Sequence, residues 1–161
     1  MGGSEIDKWV DINTYGFVTV PFETTLLVRD SCLCLHVQRA ARALARRFDE
    51  ALKPVGLTSG QFSLLMSLNR PAPAAMKGVA DLLAMDRTTL TAAVKVLERR
   101  RLLKVTVDPA DRRGRLLTLT AAGRGKLAAA LPAWQRHHRQ LEALLADPGA
   151  LRRDLGLLAA S

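Results

Sequence analysis

Few side chains in this 161-residue chain carry reactive or recognition chemistry, and they fall into two groups. The first is Arg87-Thr88-Thr89-Leu90-Thr91, followed by Lys95 and Arg99, with a second knot of cations at Arg112, Arg113 and Arg115. These residues offer hydroxyl and N–H donors and positive charge, the set that holds phosphates and reads base edges. The second group is Cys32-x-Cys34-x-His36. On a continuous helix the two thiols lie about 200° apart and cannot share a metal. Cys32 and His36 share a face, but two ligands are half of a tetrahedral set. The chain has no Gly-rich phosphate loop, no Gly-x-Ser-x-Gly and no His-Glu-x-x-His. No catalytic residue, metal or cofactor is therefore expected, and an enzyme is the weaker class.

The charge distribution points the same way. The chain has 24 Lys and Arg against 15 Asp and Glu, a net charge of +9. Residues 1–30 hold two basic and five acidic residues, whereas residues 76–126 hold twelve basic and five acidic. The excess thus sits in the segment with the hydroxyls and arginines, and an acidic partner is expected there. A solvated charged face is the plain alternative. Two cysteines two apart make no disulfide framework. No apolar run approaches the roughly 20 residues of a membrane span. Nothing resembles a secretory signal, and Ile6 stands where a myristoylation signal needs Ser or Thr. A reduced, cytoplasmic compartment and no membrane partner are expected.

The elements that must position these groups follow from period and punctuation. Residues 1–24 lack a helical period and include Gly2, Gly3, Gly16 and Pro21. They read as an arm, in part a possible start-site artefact. From about Thr25 to Pro54, Leu33, Val37, Ala41, Leu44, Phe48 and Leu52 recur at steps of three and four, giving one helix. Thr58-Ser59-Gly60-Gln61 is a capping box that opens a second, buried through Leu64, Leu65 and Leu68. After Pro71-Ala72-Pro73, Met76 to Leu83 forms a short helix with Val79, Leu82 and Leu83 apolar. Ala84-Met85 makes a tight turn, and Asp86 caps a longer helix to about Arg100. Leu103, Val105 and Val107, then Leu117 and Leu119, alternate with polar residues. They give two strands joined by a basic loop over residues 108–115. Thr120 starts a helix to about Leu145, with Leu127, Leu131, Trp134, His138, Leu141 and Leu145 as a seam. His137 is expected to face solvent. Asp147-Pro148 opens a last short helix bearing Leu151, Leu155 and Leu158.

A short helix, a tight turn and a longer helix make a helix-turn-helix, whose second helix belongs in the major groove. At 100° per residue, Ala93, Val94 and Leu97 cluster with Leu90. Thr88, Ala92, Lys95 and Arg99 fall opposite, with Thr91 at their edge and Arg87 nearer the inward side, where it reaches a phosphate more easily than a base. The hairpin is a wing. Its arginines suit a narrow minor groove, and Asp111 is expected to orient Arg113 through a carboxylate–guanidinium pair.

From Ser31 to Leu145 the sequence resembles the MarR family of transcriptional regulators. The matching stretches include Leu57-Thr58, Ala80-Asp81-Leu82-Leu83, Asp86-Arg87-Thr88-Thr89-Leu90-Thr91, Val96 to Leu103, Asp108 to Arg113, and Leu119-Thr120-Ala121-Ala122-Gly123. Arg101 stands where the family usually has Gly, which is expected to alter a left-handed helix end. The resemblance implies a mainly α fold with a small β-hairpin wing. In this winged helix-turn-helix, residues 1–24 are an N-terminal arm, 25–57 a dimerisation helix, 58–120 the DNA-binding domain and 121–161 the C-terminal dimerisation helices. It implies a homodimer on an inverted-repeat operator in double-stranded DNA. The DNA-binding residues implied are Arg87, Thr88, Thr89, Thr91, Lys95, Arg99, Arg112, Arg113 and Arg115. It further implies a repressor released by a small aromatic effector, with Cys34, Trp134 and His138 as candidate redox or effector-pocket residues. Cys34 falls where the peroxide-sensing branch of the family keeps its reactive thiol. That branch's tyrosines are replaced here by Phe48, Ser59 and Gln38, so a small hydrophobe packed near the dimer interface is the favoured reading of Cys34. The rival functions are a thiol-based peroxide sensor and a winged-helix module that binds protein.

Overall fold

Helical structure begins earlier than the apolar period suggests, and it breaks once. The structure is a computed structural model that describes residues 11–12 and 18–160, in two units, 1–44 and 45–161. The expected arm over 1–24 lies largely outside the described residues. Within it, β1 (Asp11–Ile12) pairs antiparallel with β2 (Val18–Thr19), and α1 (Phe22–Ser31) follows Pro21. The chain turns extended at Cys32 (φ −72, ψ 105), and α2 (Leu33–Leu52) begins. The single helix expected from Thr25 is therefore two. Cys32 Sγ accepts the Leu35 amide at 3.4 Å, so the thiol acts as a weak N-cap for α2. The sequence hides this break because Cys has no strong preference for a helix end.

In the second unit, α2 ends in a 3-10 turn (Lys53–Val55) and a left-handed Gly56, φ 66. α3 (Ser59–Ser67) has both halves of the capping box between Thr58 and Gln61, and the Asp49 carboxylate accepts the Ser59 amide at 2.6 Å. α4 (Met76–Leu83), α5 (Arg87–Arg99), β4 (Leu103–Val107), β5 (Arg115–Leu119), α6 (Ala121–Glu142) and α7 (Pro148–Ala160) follow. A two-residue strand, β3 (Ala74–Ala75), pairs with Leu116 and Leu117 of β5, giving an antiparallel sheet in the order β3-β5-β4. Two alanines after a proline carry no alternation, so β3 is visible only through its partner.

The core joins Leu52, Leu64 and Leu65 to Leu90, Leu97, Leu103 and Leu117, all essentially buried. Burial fades along β4, and Val107 is exposed as the hairpin leaves the core. Leu82 is 69% exposed, so α4 buries Val79 and not the whole apolar set. On the expected seam Leu127 is buried, Trp134, His138 and Leu141 are half-buried, and Leu131 and Leu145 are exposed, Leu145 beyond the end of α6 at Glu142. His137, expected to face solvent, is half-buried, and its Nδ1 is buried without a partner. α7 has no buried residue.

One junction fixes the corner between α5 and β4 to α6. After α5, Arg101 takes the left-handed conformation (φ 57). Its amide bonds to the Glu98 carbonyl at 2.8 Å, and the Leu102 amide to the Leu97 carbonyl at 3.0 Å. This is the two-bond Schellman end of a helix. The left-handed turn expected to change with Arg101 is thus kept, on a residue that adopts it at a cost. The Leu102 carbonyl then accepts the Thr120 amide (3.1 Å), the Thr120 hydroxyl lies within reach of the Arg101 (2.8 Å) and Leu102 (3.0 Å) carbonyls, and Thr120 Oγ1 caps α6 at the Gly123 amide (3.0 Å). A Cβ at Gly123 would stand 2.0 Å from the Leu102 oxygen.

Gly123→Ala is expected to destabilise the fold by on the order of 3 kcal/mol, through overpacking against backbone. Arg101→Gly should stabilise it by about 1 kcal/mol by relieving the left-handed turn. Urea unfolding of each variant at one fixed protein concentration checks both, and a neutral Gly123→Ala would contradict the junction.

Candidate nucleic-acid interface

The helix-turn-helix is built from its ends. α4 stops at Ala84, left-handed at φ 49, where the Met85 amide bonds to the Ala80 carbonyl at 3.0 Å. Asp86 then caps α5, its carboxylate accepting the Thr89 amide (2.8 Å) and the Thr89 hydroxyl (2.5 Å). The Thr89 hydroxyl first, and its amide second, hold the Asp86 carboxyl below the usual carboxylate range. A lowered carboxyl stabilises the fold above its unfolded-state value and loses that contribution as pH falls through the lowered one. The cap is therefore intact at neutral pH.

α5 buries Leu90, Val94 and Leu97 and exposes Thr88, Ala92, Lys95 and Arg99, as its wheel requires. Among the described residues, the side chains of Arg87, Thr88, Lys95 and Arg99 have no hydrogen-bond or ion-pair partner. Two of the expected donors are committed. Thr89 gives its hydroxyl proton to Asp86, and Thr91 gives its own to the Arg87 carbonyl at 2.7 Å.

The wing loop is held by its own residues. The Asp108 carboxylate accepts the Ala110 amide, and Asp111 accepts the Arg113 amide, each at 2.9 Å. The expected pairing of Asp111 with the Arg113 guanidinium is thus replaced by a bond to its backbone. A two-residue reach suits the short carboxylate, and the guanidinium stays free. Arg115 is engaged in part, donating from Nη1 to the carbonyls of Arg112 (3.1 Å) and Gly114 (2.8 Å), while its Nε and Nη2 donors have no partner among the described residues. Arg112 and Arg113 remain exposed with no side-chain partner among the described residues. Between the wing and the helix pair lies an open groove of about 750 Å³, bordered by Arg87, Thr91, Arg113 and Arg115, with Asp81 and Asp111 beside them.

The remaining candidates lie elsewhere. Cys34 is on the first unit's part of α2 and is exposed, with Sγ accepting from Gln38 Nε2 at 3.1 Å; the packed small hydrophobe favoured by the sequence is not what one chain alone provides. Trp134 stacks on Phe62 (6.1 Å between centroids) and on His138 (4.6 Å). His138 Nε2 is 3.3 Å from Glu142, which also accepts Arg152 of α7 at 2.6 Å. The Arg152 guanidinium, more than His138, keeps the Glu142 carboxyl below its ordinary range. Among the described residues no three ligating side chains are grouped to hold a metal, and no helix is long and apolar enough to cross a membrane.

Comparisons with known proteins bear on this geometry. Residues 55–114, from the α2–α3 turn to the wing tip, match the model of the MarR family. The transcriptional activatory protein BadR of Rhodopseudomonas palustris is 35% identical over 95 residues, 57% of this chain and 54% of BadR. The chain spans about half the length of the curated relatives it matches. Among solved structures, the M. tuberculosis transcriptional regulator MosR in complex with DNA is 35% identical with a TM-score of 0.75, over 81% of this chain and 95% of MosR. CouR of Rhodococcus jostii RHA1, bound to p-coumaroyl-CoA, is 25% identical with a TM-score of 0.70, over 81% and 93%.

If Asp111 shapes the wing through backbone, Asp111→Ala should speed amide exchange at Arg113 about fivefold, the loss of a bond worth roughly 1 kcal/mol. Exchange along α5 should stay unchanged. Equal protection at Arg113 in both proteins would remove Asp111 from the account.

Proposed function

The chain belongs to the MarR family of transcriptional regulators, and on that premise we propose that it is a sequence-specific DNA-binding homodimer, a repressor released by a small aromatic effector. One observation carries the reading. Lys95 and Arg99 on the exposed row of α5, and Arg112 and Arg113 on the wing, are cations that the described residues leave without partners. A protein that has satisfied the neighbouring Asp86, Thr89 and Asp111 internally keeps these cations open for phosphates and base edges. MosR, similar over nearly its whole length, is a DNA-bound regulator, which supports the assignment of α5 and the wing to DNA.

Dimerisation is supported by the apolar residues left in water. Leu33 and Val37 on α2, and Leu144, Leu145, Leu151, Leu155 and Leu157 near the C-terminus, are exposed. Leucines repeated along helices at such exposure mark a surface that another chain covers. Release by an aromatic effector is supported by the p-coumaroyl-CoA that CouR binds. The parallel rings of Trp134 and His138, 11° apart, are the candidate flat wall for such a ligand. The exposed Cys34 thiol does not favour the peroxide-sensor reading over this one.

Selection from a random duplex library should return an inverted repeat, with half-site centres about one helical turn, roughly 10 bp, apart. Arg113→Ala should weaken binding to that sequence by on the order of 1–3 kcal/mol and lower the log-log salt slope by about one. Unchanged affinity and slope would take the wing out of the interface. A monomer by light scattering at micromolar concentration, with full DNA binding, would refute the homodimer.

A further inference from the structure

The three threonines of α5 look equivalent in sequence but differ in what they can offer. Thr88 is exposed and its hydroxyl has no partner among the described residues. Thr89 has given its proton to the Asp86 carboxylate, an anion one residue before α5. Thr91 has given its proton to the Arg87 carbonyl, at 2.7 Å, in the back-bond of a helical hydroxyl to the residue four before it. A threonine side chain ends in one hydroxyl and one methyl. The hydroxyl proton is spent, and the oxygen, which could otherwise still accept from adenine N6 or cytosine N4, is turned toward the helix backbone, so the methyl is the group Thr91 presents outward.

Thr91 sits next to Ala92, the small exposed residue of the reading row, and one turn before Lys95. It is half-buried at the border of the groove between α5 and the wing. Guanine N7 and O6, adenine N7 and thymine O4 all demand a donor. A hydroxyl already donating supplies none of them. The thymine C5-methyl demands only an apolar contact.

We propose that Thr91 reads a thymine through its methyl group, while Thr88 is the hydroxyl of α5 that donates to DNA. This rests on the DNA-binding reading above and adds a base preference to it. The operator half-site then contains a thymine facing Thr91. Within about two base pairs of it stands a base with major-groove acceptors for Lys95, because one helical turn advances about 5.4 Å against 3.4 Å per base pair.

The test uses the selected operator with each half-site thymine replaced in turn by uracil, which deletes the 5-methyl and nothing else. Wild-type protein should lose about fourfold in affinity at one of these positions, the loss of one buried methyl-sized group. Thr91→Val, which keeps the methyl and removes the hydroxyl, should retain that uracil penalty. Thr91→Ser, which keeps the hydroxyl and removes the methyl, should bind the thymine operator about fourfold more weakly and show no penalty there. The inverse pattern, with Ser behaving as wild type and Val losing discrimination, overturns the proposal. So does a selected operator in which no thymine is sensitive to uracil. Failure to select any duplex would instead sink the DNA-binding reading itself, so the two failures are distinct. Circular dichroism of both variants confirms that α5 is intact.

Discussion

The carbonyl of Leu102 is the point on which the helix-turn-helix and hairpin depend. It follows the turn closed by the Leu102 amide, accepts the Thr120 amide, shares the Thr120 hydroxyl with the Arg101 carbonyl, and lies so close to Gly123 that no side chain fits between them. α5, β4 and the start of α6 therefore meet with almost no free volume. The left-handed Arg101 is what turns the chain sharply enough to bring them there. Its strain of roughly 1–2 kcal/mol is tolerable because two end-capping bonds and the burial of Leu97 and Leu102 offset it. Arg100, one residue earlier, braces the same corner from outside, donating to the Gly56 carbonyl at 2.7 Å and to Gln61 at 3.0 Å. A run of three arginines that looks like one basic surface thus divides. Arg100 and Arg101 shape the corner, and Arg99 stays open on the exposed row of α5.

The same division runs through the whole interface, and hydrogen-bond bookkeeping makes it. Asp86, Thr89 and Asp111 are polar, exposed and close to the candidate reading surface, yet each is bonded within its own loop or helix turn, and Arg115 turns one of its nitrogens the same way. Such local bonds fix backbone that has little core to lean on; burial falls away along β4, and the loop from 108 to 114 is mostly exposed. What they leave uncommitted is a short set of cations and one hydroxyl. In the proposed interface, specificity then falls to these few side chains, held on backbone that their bonded neighbours fix.

The sequence revealed this fold where a periodic or punctuated signal existed. The capping box at Thr58 and Gln61, the Asp86 cap, the α5 wheel and the β4–β5 hairpin were all legible from residue type and spacing. It concealed what depends on a partner distant in the chain. Ala74 and Ala75 become a strand only because Leu116 and Leu117 pair with them. Cys32 ends α1 without Gly, Pro or Asn to mark it. In the candidate interface, composition identified the basic and hydroxylic residues but not which donors were already used. Thr91 and Arg115 read as contacts by type, and it takes the bonds to the Arg87, Arg112 and Gly114 carbonyls to show that the Thr91 proton is spent and that Nη1 of Arg115 is turned inward.

The proposed release by an effector needs a physical route, and α6 is the element that could supply one. Its first turn is locked to Leu102 through Thr120 and Gly123, so it cannot pivot there without moving the end of α5 and the start of β4. Two turns beyond Gly123 it is still in the core at Ala130, and a turn later Trp134 lies on Phe62 of α3. Past His138 it leaves the core, where Glu142 takes Arg152 of α7 among leucines that the chain alone does not cover. A ligand seated against Trp134 and His138 would press on a helix fixed at one end to the DNA-facing corner and, in the proposed dimer, at the other to a second copy. A displacement there has no slack at Gly123 in which to dissipate. In the proposed dimer, packing would carry such a displacement from the aromatic stack to the α5–β4 corner with no need for a flexible hinge.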